Sequence, residues 1–543
     1  MLQHTNPFHA GELKAQARAG ASGVSDWAAG FIRPTMPDQH RAFFSQLPFV
    51  VLAGADDNGR HWVTLLDGPD QFVTAPDART LEIAARPDRQ DPLASTLIHG
   101  GEVGLLGIEL STRRRNRLSG TTRPNPNKVI IDVRQSFGNC PQYIHERVWQ
   151  RVAKTQPQQA IQSTALNAEQ VARIAKADTL FIGTGHRGST DHPSNGFDAS
   201  HRGGAPGFVA VTSPTHLRIP DYAGNNFFNS IGNLLENPRI GLVFVDFETG
   251  GLLHITGRAR IDWEARGSND PHAMRIIDVA IEDVIDRPFA LGLRWSMNDG
   301  ELRELVVAAK IKETEDITSF HLAPADDLPL EPFQAGQHLP IELDLPGQSA
   351  AIGRSYSLSG APGQRTYRLS VKREARGLAS QHMHQVLAVG DVIRARRPSG
   401  DFVIPDDTSP LVLVSAGVGL TPLISMLHAA LKASSTRPVW YVHGARNAAR
   451  HALKSEVAAL AEKFGNLKTY TVYSRPGKCD EFGFDFQAEG RITAKRLIDL
   501  NTGRNAHFML CGPARFLADI RNDLEAAGIA PEQIHFETFG PSS

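Results

Sequence analysis

The chain has 543 residues, of which 41% are hydrophobic and 21% charged, and its formal net charge at pH 7 is −1. This length exceeds what one hydrophobic core supports and predicts three or four globular domains. A balanced charge gives no electrostatic case for nucleic acid or an anionic membrane as a partner. No apolar run approaches the roughly eighteen residues of a membrane span, and the first residues lack a signal-peptide layout, so we expect a cytoplasmic protein.

Cysteine is rare in the chain. The three cysteines, Cys140, Cys479 and Cys511, are too few and too scattered for a disulfide framework or a zinc site. They also fall short of the four thiolates that hold an iron–sulfur cluster. The sequence therefore predicts no metal site.

The first half of the chain contains a repeated strand pattern. Residues 1–45 predict an irregular segment with a helix over residues 10–19, and from residue 48 short apolar strands recur at the spacing of a small barrel. The pattern then returns, since Phe72 and Gly104 recur as Phe208 and Gly241 at offsets of 136 and 137 residues. We interpret residues 46–125 and 178–262 as two copies of one barrel, with a chance alignment of turn glycines as the alternative.

Motifs in the second copy carry a family resemblance. They are residues 197–209 (FDASHRGGAPGFV), 219–226 (IPDYAGNN), 230–234 (SIGNL) and 237–242 (NPRIGL). This stretch resembles the pyridoxamine 5′-phosphate oxidase-like split barrel, a family that binds FMN, usually across a homodimer interface. The resemblance implies that the tandem copies build that interface within one chain, as a pseudo-dimer.

The second copy also contains candidate ligands for an FMN phosphate. A phosphate is held by guanidinium groups, hydroxyls, amides and backbone N–H groups near turns. Because the first copy lacks the IPDYAGNN stretch, we expect one functional site per chain. The alternative is that the asparagines only stabilise turns and helix ends. The candidates are Arg202, Asn225, Asn226, Ser230 and Asn233.

Three further segments of the first half receive structural interpretations. The basic run at residues 113–117 (RRRNR) predicts a solvated strand or turn, with contact to a phosphate as the alternative. Residues 270–287 predict an amphipathic helix that ends at Pro288. Residues 295–299 predict a linker to the second half.

Residues 353–357 (GRSYS) place a cation, an aromatic ring and a hydroxyl in one extended stretch. Alternate side chains of a strand share a face, so Arg354 and Tyr356 can reach one flat ligand that carries a phosphate. That ligand is most simply a flavin. Neighbouring short strands, at residues 305–310, 318–322, 336–341 and 366–371, predict an antiparallel barrel around it.

Residues 411–427 predict a strand, a glycine-rich turn and a helix. Backbone N–H groups of such a turn and the helix N-terminus can hold a pyrophosphate. From residue 410 strands and helices alternate, which predicts a doubly wound parallel sheet with its ligand site at the carboxyl ends of the strands. The candidates in the turn are Gly417, Val418, Gly419, Leu420, Thr421 and Pro422.

From residue 304 onward the motifs occur in the order of a second family. Together with residues 370–374, 377–380, 443–447, 511–513 and 536–541, they resemble the ferredoxin–NADP reductase superfamily, most closely the reductase part of flavohaemoglobins. The resemblance implies FAD in the barrel and NADPH or NADH on the sheet. It also implies that Arg354 pairs with the flavin pyrophosphate, that Tyr356 stacks on the isoalloxazine, and that Ser357 bonds the ring near N5.

The same resemblance implies roles for further residues. Ser474 and Arg475 stand where the superfamily distinguishes its nucleotides, and a hydroxyl with a guanidinium there favours the 2′-phosphate of NADPH, although NADH stays open. The catalytic candidates are Tyr356, Ser357, Cys511 and Glu537. The other cofactor candidates are Ser355, Gly377, Ala379 and Ser380 near FAD, Gly512 and Pro513 near the nicotinamide, and Thr538, Phe539 and Gly540 at the flavin ring.

The predicted fold is multidomain, with tandem β split barrels, an antiparallel FAD barrel and an α/β nucleotide domain. The predicted function is an NAD(P)H-dependent flavoprotein that passes hydride to FAD and then electrons to an N-terminal FMN or to an external small-molecule or protein acceptor. In one alternative, the N-terminal barrels only bind a partner, and the reductase serves a separate ferredoxin-like protein. In another, the protein is a flavin-binding redox sensor. The oligomeric state stays open. The predicted domains are residues 1–45, 46–165, 166–300, 301–405 and 406–543.

Overall fold

The computed structural model describes residues 6–28, 31–138, 143–153, 158–188, 192–268, 270, 273–297, 302–326, 328–345, 351–374, 377–434 and 436–538. The chain divides into two compact units, Met1–Asn298 and Asp299–Gly540. No helix in these ranges is both long and apolar enough to cross a membrane. The cytoplasmic location and the domain boundaries inside each unit stay predictions.

Short helices flank the sheets of the first unit. The first of them starts with a capping box, in which the His9 ring accepts from the Gly11 N–H at 3.1 Å and the Glu12 carboxylate accepts from the His9 N–H at 2.8 Å. The helices are α1 (Ala10–Arg18), α2 (Ser25–Ala28), α3 (Asp38–Ser45), α4 (Ala94–His99), α5 (Ala168–Lys176) and α6 (Asn229–Glu236).

Two sheets form the core of the first unit, and we call them the first copy and the second copy. The first copy consists of β1 (Phe49–Ala55), β2 (His61–Asp67), β3 (Val73–Asp77), β4 (Thr80–Ile83), β5 (Glu102–Glu109), β6 (Arg114–Arg123) and β7 (Val129–Gly138). Next in the chain come β8 (Arg147–Arg151) and β9 (Ile161–Ser163). The second copy consists of β10 (Thr179–His186), β11 (Gly196–Gly203), β12 (Ala210–Ser213), β13 (His216–Asp221), β14 (Arg239–Val245), β15 (Leu252–Asp262) and β16 (Arg275–Arg287), with β9 paired to β16.

The two copies have the same connectivity. The strand order is β2-β1-β5-β6-β7-β4-β3 in the first and β11-β10-β14-β15-β16-β13-β12 in the second. A register shift recurs as well, at Gly120 in β6 and at Gly257 in β15. The repeat inferred from the sequence is therefore present as a repeated connectivity. The assignment to the split-barrel family stays a prediction.

The contacts between the two copies are reciprocal. An added Cβ at Gly104 in β5 would lie 2.4 Å from the carbonyl oxygen of Phe197 in β11, and one at Gly241 in β14 would lie 2.6 Å from the Cα of Trp62 in β2. Equivalent strands thus make the same close approach twice, as in the isologous interface of a symmetric dimer. Buried apolar side chains fill this interface, namely Phe49, Val51, Ala53, Val63, Leu65, Leu106 and Ile108 from the first copy and Phe181, Ala199, Val243, Val245 and Leu252 from the second.

Two sequence interpretations of this unit are wrong. The helix expected over residues 270–287 is strand β16, which pairs with β13 and β15 along its length. Residues 295–297 of the expected linker belong to β17 (Leu293–Met297), which pairs with β8 and buries Trp295. The basic run lies mostly on β6, as the strand interpretation predicts.

The second unit begins with an antiparallel barrel, as expected. Its sheet has the order β21-β20-β23-β18-β19-β22, and a bridge from Leu358 to Leu369 joins the two edge strands. The elements are β18 (Arg303–Lys312), β19 (Ile317–Pro324), β20 (His338–Leu343), β21 (Ile352–Ser357), β22 (Tyr367–Lys372), helix α7 (Leu378–Gln385) and β23 (Val392–Ala395).

The rest of the second unit is a parallel sheet with helices, which confirms the α/β prediction. The strand order is β27-β26-β25-β24-β28-β29, so the order reverses between β24 and β28. Ligands of such sheets bind at this reversal, at the carboxyl ends of the strands. The elements are β24 (Leu411–Ala416), α8 (Leu420–Ala433), β25 (Val439–Ala445), α9 (Lys454–Lys463), β26 (Leu467–Tyr473), β27 (Ala488–Glu489), α10 (Ala494–Asp499), β28 (His507–Gly512), α11 (Ala514–Ala526) and β29 (Ile534–Thr538).

Candidate functional site

The glycine turn lies at the point where the strand order reverses. β24 ends at Ala416, Gly417 has a φ of 57°, and a short 3₁₀ turn leads into α8. A Cβ added at Gly419 would lie 2.2 Å from the carbonyl oxygen of Cys511, so only glycine lets the turn approach the end of β28. Two motifs that are about ninety residues apart in the chain therefore meet at one edge of the sheet. The turn also contains Val418, and α8 begins with Leu420, Thr421 and Pro422, all buried.

Cys511 is fully buried and pairs with Glu537 across the parallel strands β28 and β29. Burial first and the neighbouring Glu537 carboxylate second raise the pKa of Cys511 well above its usual value. A thiol that stays protonated is a poor nucleophile, so we expect Cys511 to act through its shape rather than as a nucleophile. Gly512 follows in the same strand and Pro513 precedes α11; the Thr538 side chain, Phe539 and Gly540 lie outside the described residues.

Tyr356 and Ser357 lie at the end of β21 in the barrel. Tyr356 pairs with Leu339 and packs against the barrel core, and burial raises its pKa to about 12, so the phenol is neutral at physiological pH. Ser357 is buried, Ser355 is partly exposed, and Arg354 is exposed beside them. Strand β21 therefore carries an exposed guanidinium, a neutral aromatic ring and a buried hydroxyl within four residues.

The barrel strand and the glycine turn belong to neighbouring elements. The turn contacts β22, and the Leu358–Leu369 bridge joins β22 to the chain just after β21. An ion pair holds the barrel on the sheet, because Arg368 of β22 donates to Glu456 of α9 at 2.7 and 3.0 Å. Both predicted cofactor motifs therefore adjoin β22, the motif of β21 through the Leu358–Leu369 bridge and the glycine turn through direct contact.

The helix α7 supplies a second flavin candidate. The Ser380 hydroxyl donates to the Gly377 carbonyl at 2.9 Å and accepts from the Glu374 N–H at 3.1 Å, so this side chain stabilises the turn that starts the helix. Ala379 is buried. What remains for a ligand at this position is the backbone of the first helical turn.

Ser474 and Arg475 follow β26 and expose their side chains. Their N–H groups donate to the carbonyls of Ala445 and Arg446 at 3.0 and 2.9 Å, which extends the β25–β26 pairing past the strand ends. The hydroxyl and guanidinium therefore project from the same edge of the sheet as the glycine turn.

A second candidate site lies between the two copies of the first unit, and we call it the anion pocket. Its lining contains four guanidinium groups, two from each copy, together with one carboxylate and the hydroxyls and amides of the second copy. Such a lining is suited to a phosphate. The polar lining residues are Arg115, Arg117, Ser200, Arg202, Asp221, Asn225, Asn226, Ser230 and Arg275, with His201, Tyr143, Tyr222 and Asn229 beside them.

Among the described residues, three of the four guanidinium groups of the anion pocket have a buried nitrogen without a hydrogen-bond partner. Within the described part of the chain, Arg117 Nε, Arg202 Nε and Arg275 Nη1 are buried and have no hydrogen-bond partner. Asp221 lies 3.4 Å from Arg202 and 3.2 Å from Arg275, which leaves an excess of positive charge. Burial, with Arg115 nearby, lowers the pKa of Arg117 to about 9, which still leaves it charged at pH 7. Unpaired buried donors are costly, so an anion at this position would stabilise the unit.

The structure brings four of the five predicted FMN residues to this pocket. The Ser230 hydroxyl donates to that of Ser200 at 3.0 Å, and Asn226 adopts a left-handed φ of 59°. Asn225 also accepts from the Phe227 N–H at 3.1 Å, as its alternative role in a turn predicts. Asn233 does not line the pocket.

The Asn233 side chain instead belongs to a buried network behind α6. Its amide donates to Asp198 at 2.8 Å and to Thr184 at 3.1 Å, and its oxygen lies 2.9 Å from the His9 ring. The helical period places Asn233 on the face of α6 that packs against α1, away from the helix N-terminus at the pocket. Its amide therefore fastens α6 to α1 and the second copy.

Three cationic residues of the anion pocket were not among the FMN candidates of the sequence analysis. Arg115 and Arg117 were in the basic run, for which a solvated strand or turn was favoured and contact with a phosphate was the alternative; their spacing of two on a strand puts both side chains on one face. Arg275 begins the strand that was interpreted as a helix. The alternation of side chains along β6 was the signal that could have identified Arg115 and Arg117.

Two family models match the second unit. Residues 304–404 match the oxidoreductase FAD-binding domain, and residues 413–522 match the oxidoreductase NAD-binding domain. The second unit is an FAD- and NAD(P)H-binding oxidoreductase module of the ferredoxin–NADP reductase type. In this reductase module the barrel that carries Tyr356 corresponds to the first match and the sheet that carries Gly419 to the second.

Named relatives of the chain are flavohemoproteins. That of Bacillus cereus is 39% identical over 249 residues, which is 45% of this chain and 62% of the relative. That of Bacillus subtilis is 40% identical over 242 residues, which is 44% of this chain and 60% of the relative. The chain thus spans about three fifths of these relatives. The solved FAD/NAD-binding domain of the nitric oxide dioxygenase from Vibrio cholerae is 35% identical, with 44% of this chain and 99% of that domain covered and a TM-score of 0.41.

Proposed function

We propose that the whole chain is an NAD(P)H-dependent electron-transfer flavoenzyme. Its reductase module would catalyse hydride transfer from NADPH or NADH to FAD, and its first unit would hold FMN as the next electron carrier. The flavins would supply the redox chemistry, since an isoalloxazine ring exchanges hydride with a nicotinamide and electrons with further acceptors. The final acceptor is a small molecule or a protein.

The close approach of Gly419 to Cys511 carries the proposal for the reductase module. Because the turn packs closely on the end of β28 at the strand reversal, a dinucleotide could bind over it, with its pyrophosphate at the N-terminus of α8. The neutral ring of Tyr356 would position the flavin by stacking, and the exposed Arg354 would pair with its phosphates. Ser357 and Glu537 would bond the ring, and buried Cys511 would border the nicotinamide. These residues bind and align the reactants.

The unpaired guanidinium donors of the anion pocket support FMN in the first unit. A phosphate monoester carries about two negative charges and three acceptor oxygens, which matches several cationic donors left without partners. Arg117 and Arg202 would meet the phosphate from different copies, with Ser200 and Ser230 as hydroxyl donors. This combination requires both copies, as the pseudo-dimer hypothesis expects.

Flavin extraction from the full chain tests this proposal. Denatured protein is expected to release FAD and FMN in equal amounts, each at one per chain. FAD alone would favour the alternative in which the first unit only binds a partner, such as a separate ferredoxin-like protein. Oxidation of NADPH and of NADH with ferricyanide as acceptor is then measured separately. Absence of turnover with both would favour the redox sensor.

A further inference from the structure

The repeated connectivity gives the strand residues of the anion pocket counterparts in the other copy. The register of the strand ladders, counted from the shared bulge, fixes which positions correspond. Arg117 on β6 corresponds to His254 on β15, and Ser200 on β11 corresponds to Thr64 on β2. The pocket lies on one side of the pseudo-dimer, so these counterparts mark an equivalent place on the other side.

That equivalent place is filled by the chain itself. The Thr64 hydroxyl donates to the Asp91 carboxylate, and Arg287 Nη1 lies 2.5 Å from Asp91 Oδ2. His254 lies 3.5 Å from the same guanidinium nitrogen, with its other ring nitrogen 2.8 Å from the Val63 carbonyl. The Asp91 side chain is 1% exposed. A hydroxyl and a guanidinium, the same chemistry as in the anion pocket, here meet an internal carboxylate.

The two places differ in charge. The anion pocket combines four guanidinium groups with one carboxylate. At its counterpart, Arg287 faces Asp91 as a single ion pair, and burial, with Arg287 nearby, lowers the pKa of His254 to about 4, which leaves the ring neutral at pH 7. The first place has an excess of positive charge, whereas the second is balanced.

We propose that the Asp91 carboxylate takes, in the first copy, the place that an external phosphate takes in the second. Asp91 lies thirteen residues before Gly104. Phe228, which lines the anion pocket directly before α6, lies thirteen residues before the equivalent Gly241, so the carboxylate enters from the loop that faces the ligand in the other copy. The first unit then binds one phosphate ligand per chain. Only the identity of that ligand, FMN, rests on the proposed function.

Removal of the carboxylate from the full chain tests the inference. Asp91→Ala is expected to lower the unfolding temperature by about 5–15 °C, because Arg287 loses its buried partner. Acetate at about 0.1 M should restore part of this loss by binding in the vacated place, and KCl of equal ionic strength should not. Asp132→Ala is the matched control, since Asp132 pairs with Arg123 at an exposed site of the same unit and should show no response specific to acetate.

Either of two results would overturn the inference. One is an Asp91→Ala protein as stable as the wild type, and the other is an equal response to acetate and KCl. If this variant does not fold, Asp91→Ser, which removes the charge and frees part of the volume, takes its place: dialysis with inorganic phosphate should then count one site in the wild type and two in the variant. Two sites in the wild type, or one in both proteins, would refute the inference. No site in the wild type but one in the variant would refute the phosphate site of the second copy, and with it the proposed FMN pocket, although Asp91 would still be shown to fill an anion-binding place in the first copy.

Discussion

Arg117 shows how a single residue can indicate a ligand. Its guanidinium is buried against Phe137 with Nε unpaired in the described part of the chain, a state that costs folding free energy. Such a cost is typical of a binding site, where the ligand supplies the missing partner. A structural role would instead have paired the group with a carboxylate, as Arg287 is paired with Asp91.

Arg117→Met is expected to weaken FMN binding by about ten- to a hundredfold, because a charge-assisted hydrogen bond contributes ~1.5–3 kcal/mol. The flavin-free variant should be at least as stable as the flavin-free wild type, since an unpaired buried charge is lost. Fluorescence titration with FMN and thermal unfolding measure the two effects. Arg123→Met, at the exposed end of the same strand, is the control. Equal FMN affinity in Arg117→Met and the wild type would contradict the phosphate contact.

The candidate residues of the reductase module lie in local motifs, whereas the residues of the anion pocket do not. Arg354, Tyr356 and Ser357 follow one another on a single strand, so a local motif contains the whole set. The anion pocket draws Arg117 and Arg275 from strands of different copies. No local pattern relates these positions, and only the packing of the copies brings them together.

Among the elements, β16 shows why periodicity failed. Ile277, Val279 and Ile281 alternate as a strand requires, but the register shift opposite Gly257 then inserts an extra residue, and Val284 is the next buried position on the ladder. Spacings of four and three from Ile277 through Ile281 to Val284 imitate a helical face. The bulge therefore produced the helical signal, and the β-branched content of the segment was the better guide.

The glycine turn supplies a prediction about an element. Gly419→Ala should force the start of α8 away from β28, since a Cβ there meets the Cys511 carbonyl at 2.2 Å. We expect kcat/KM for the nucleotide to fall at least about tenfold, as expected for a misplacement of about 1 Å, with FAD content unchanged. Gly465→Ala, where an added Cβ meets nothing within 4 Å, is the control. Unchanged steady-state kinetics would contradict the placement of the nucleotide.

The ion pair between α9 and β22 predicts a pH dependence. Although burial raises the pKa of Glu456, hydrogen bonds from His428 and Arg368 lower it to about 2. A carboxylate with a depressed pKa stabilises the folded state above its unfolded pKa of about 4.5, and this stabilisation is lost as the pH falls towards 2.

Glu456→Gln should therefore reduce the unfolding free energy at pH 7 by about 1–3 kcal/mol, with the deficit shrinking below about pH 4.5. Denaturant unfolding at several pH values measures it. Glu462→Gln, at an exposed position of the same helix, should have little effect at any pH. A deficit for Glu456→Gln that does not change between pH 7 and pH 3 would contradict the assignment.

At the scale of the whole molecule, every residue proposed to align FAD with the nicotinamide belongs to the second unit. A chain starting at residue 299 should therefore bind FAD alone and reduce ferricyanide at a rate within about threefold of the full chain, since both retain the same aligned site. Flavin extraction and the rate of ferricyanide reduction measure these two outcomes. A fragment that folds, by circular dichroism, but lacks FAD would show that the first unit completes the flavin site.

The reciprocal approach of Gly104 to Phe197 and of Gly241 to Trp62 has an evolutionary consequence. Covalent linkage turns the association of two halves into an intramolecular event, so dilution does not separate them. The two halves of one chain can also differ in sequence, because a substitution in one half does not appear in the other, as it does in a homodimer. On the proposal made above, one half would thereby be free to replace its phosphate ligand by the Asp91 carboxylate, while the other half kept the ligand.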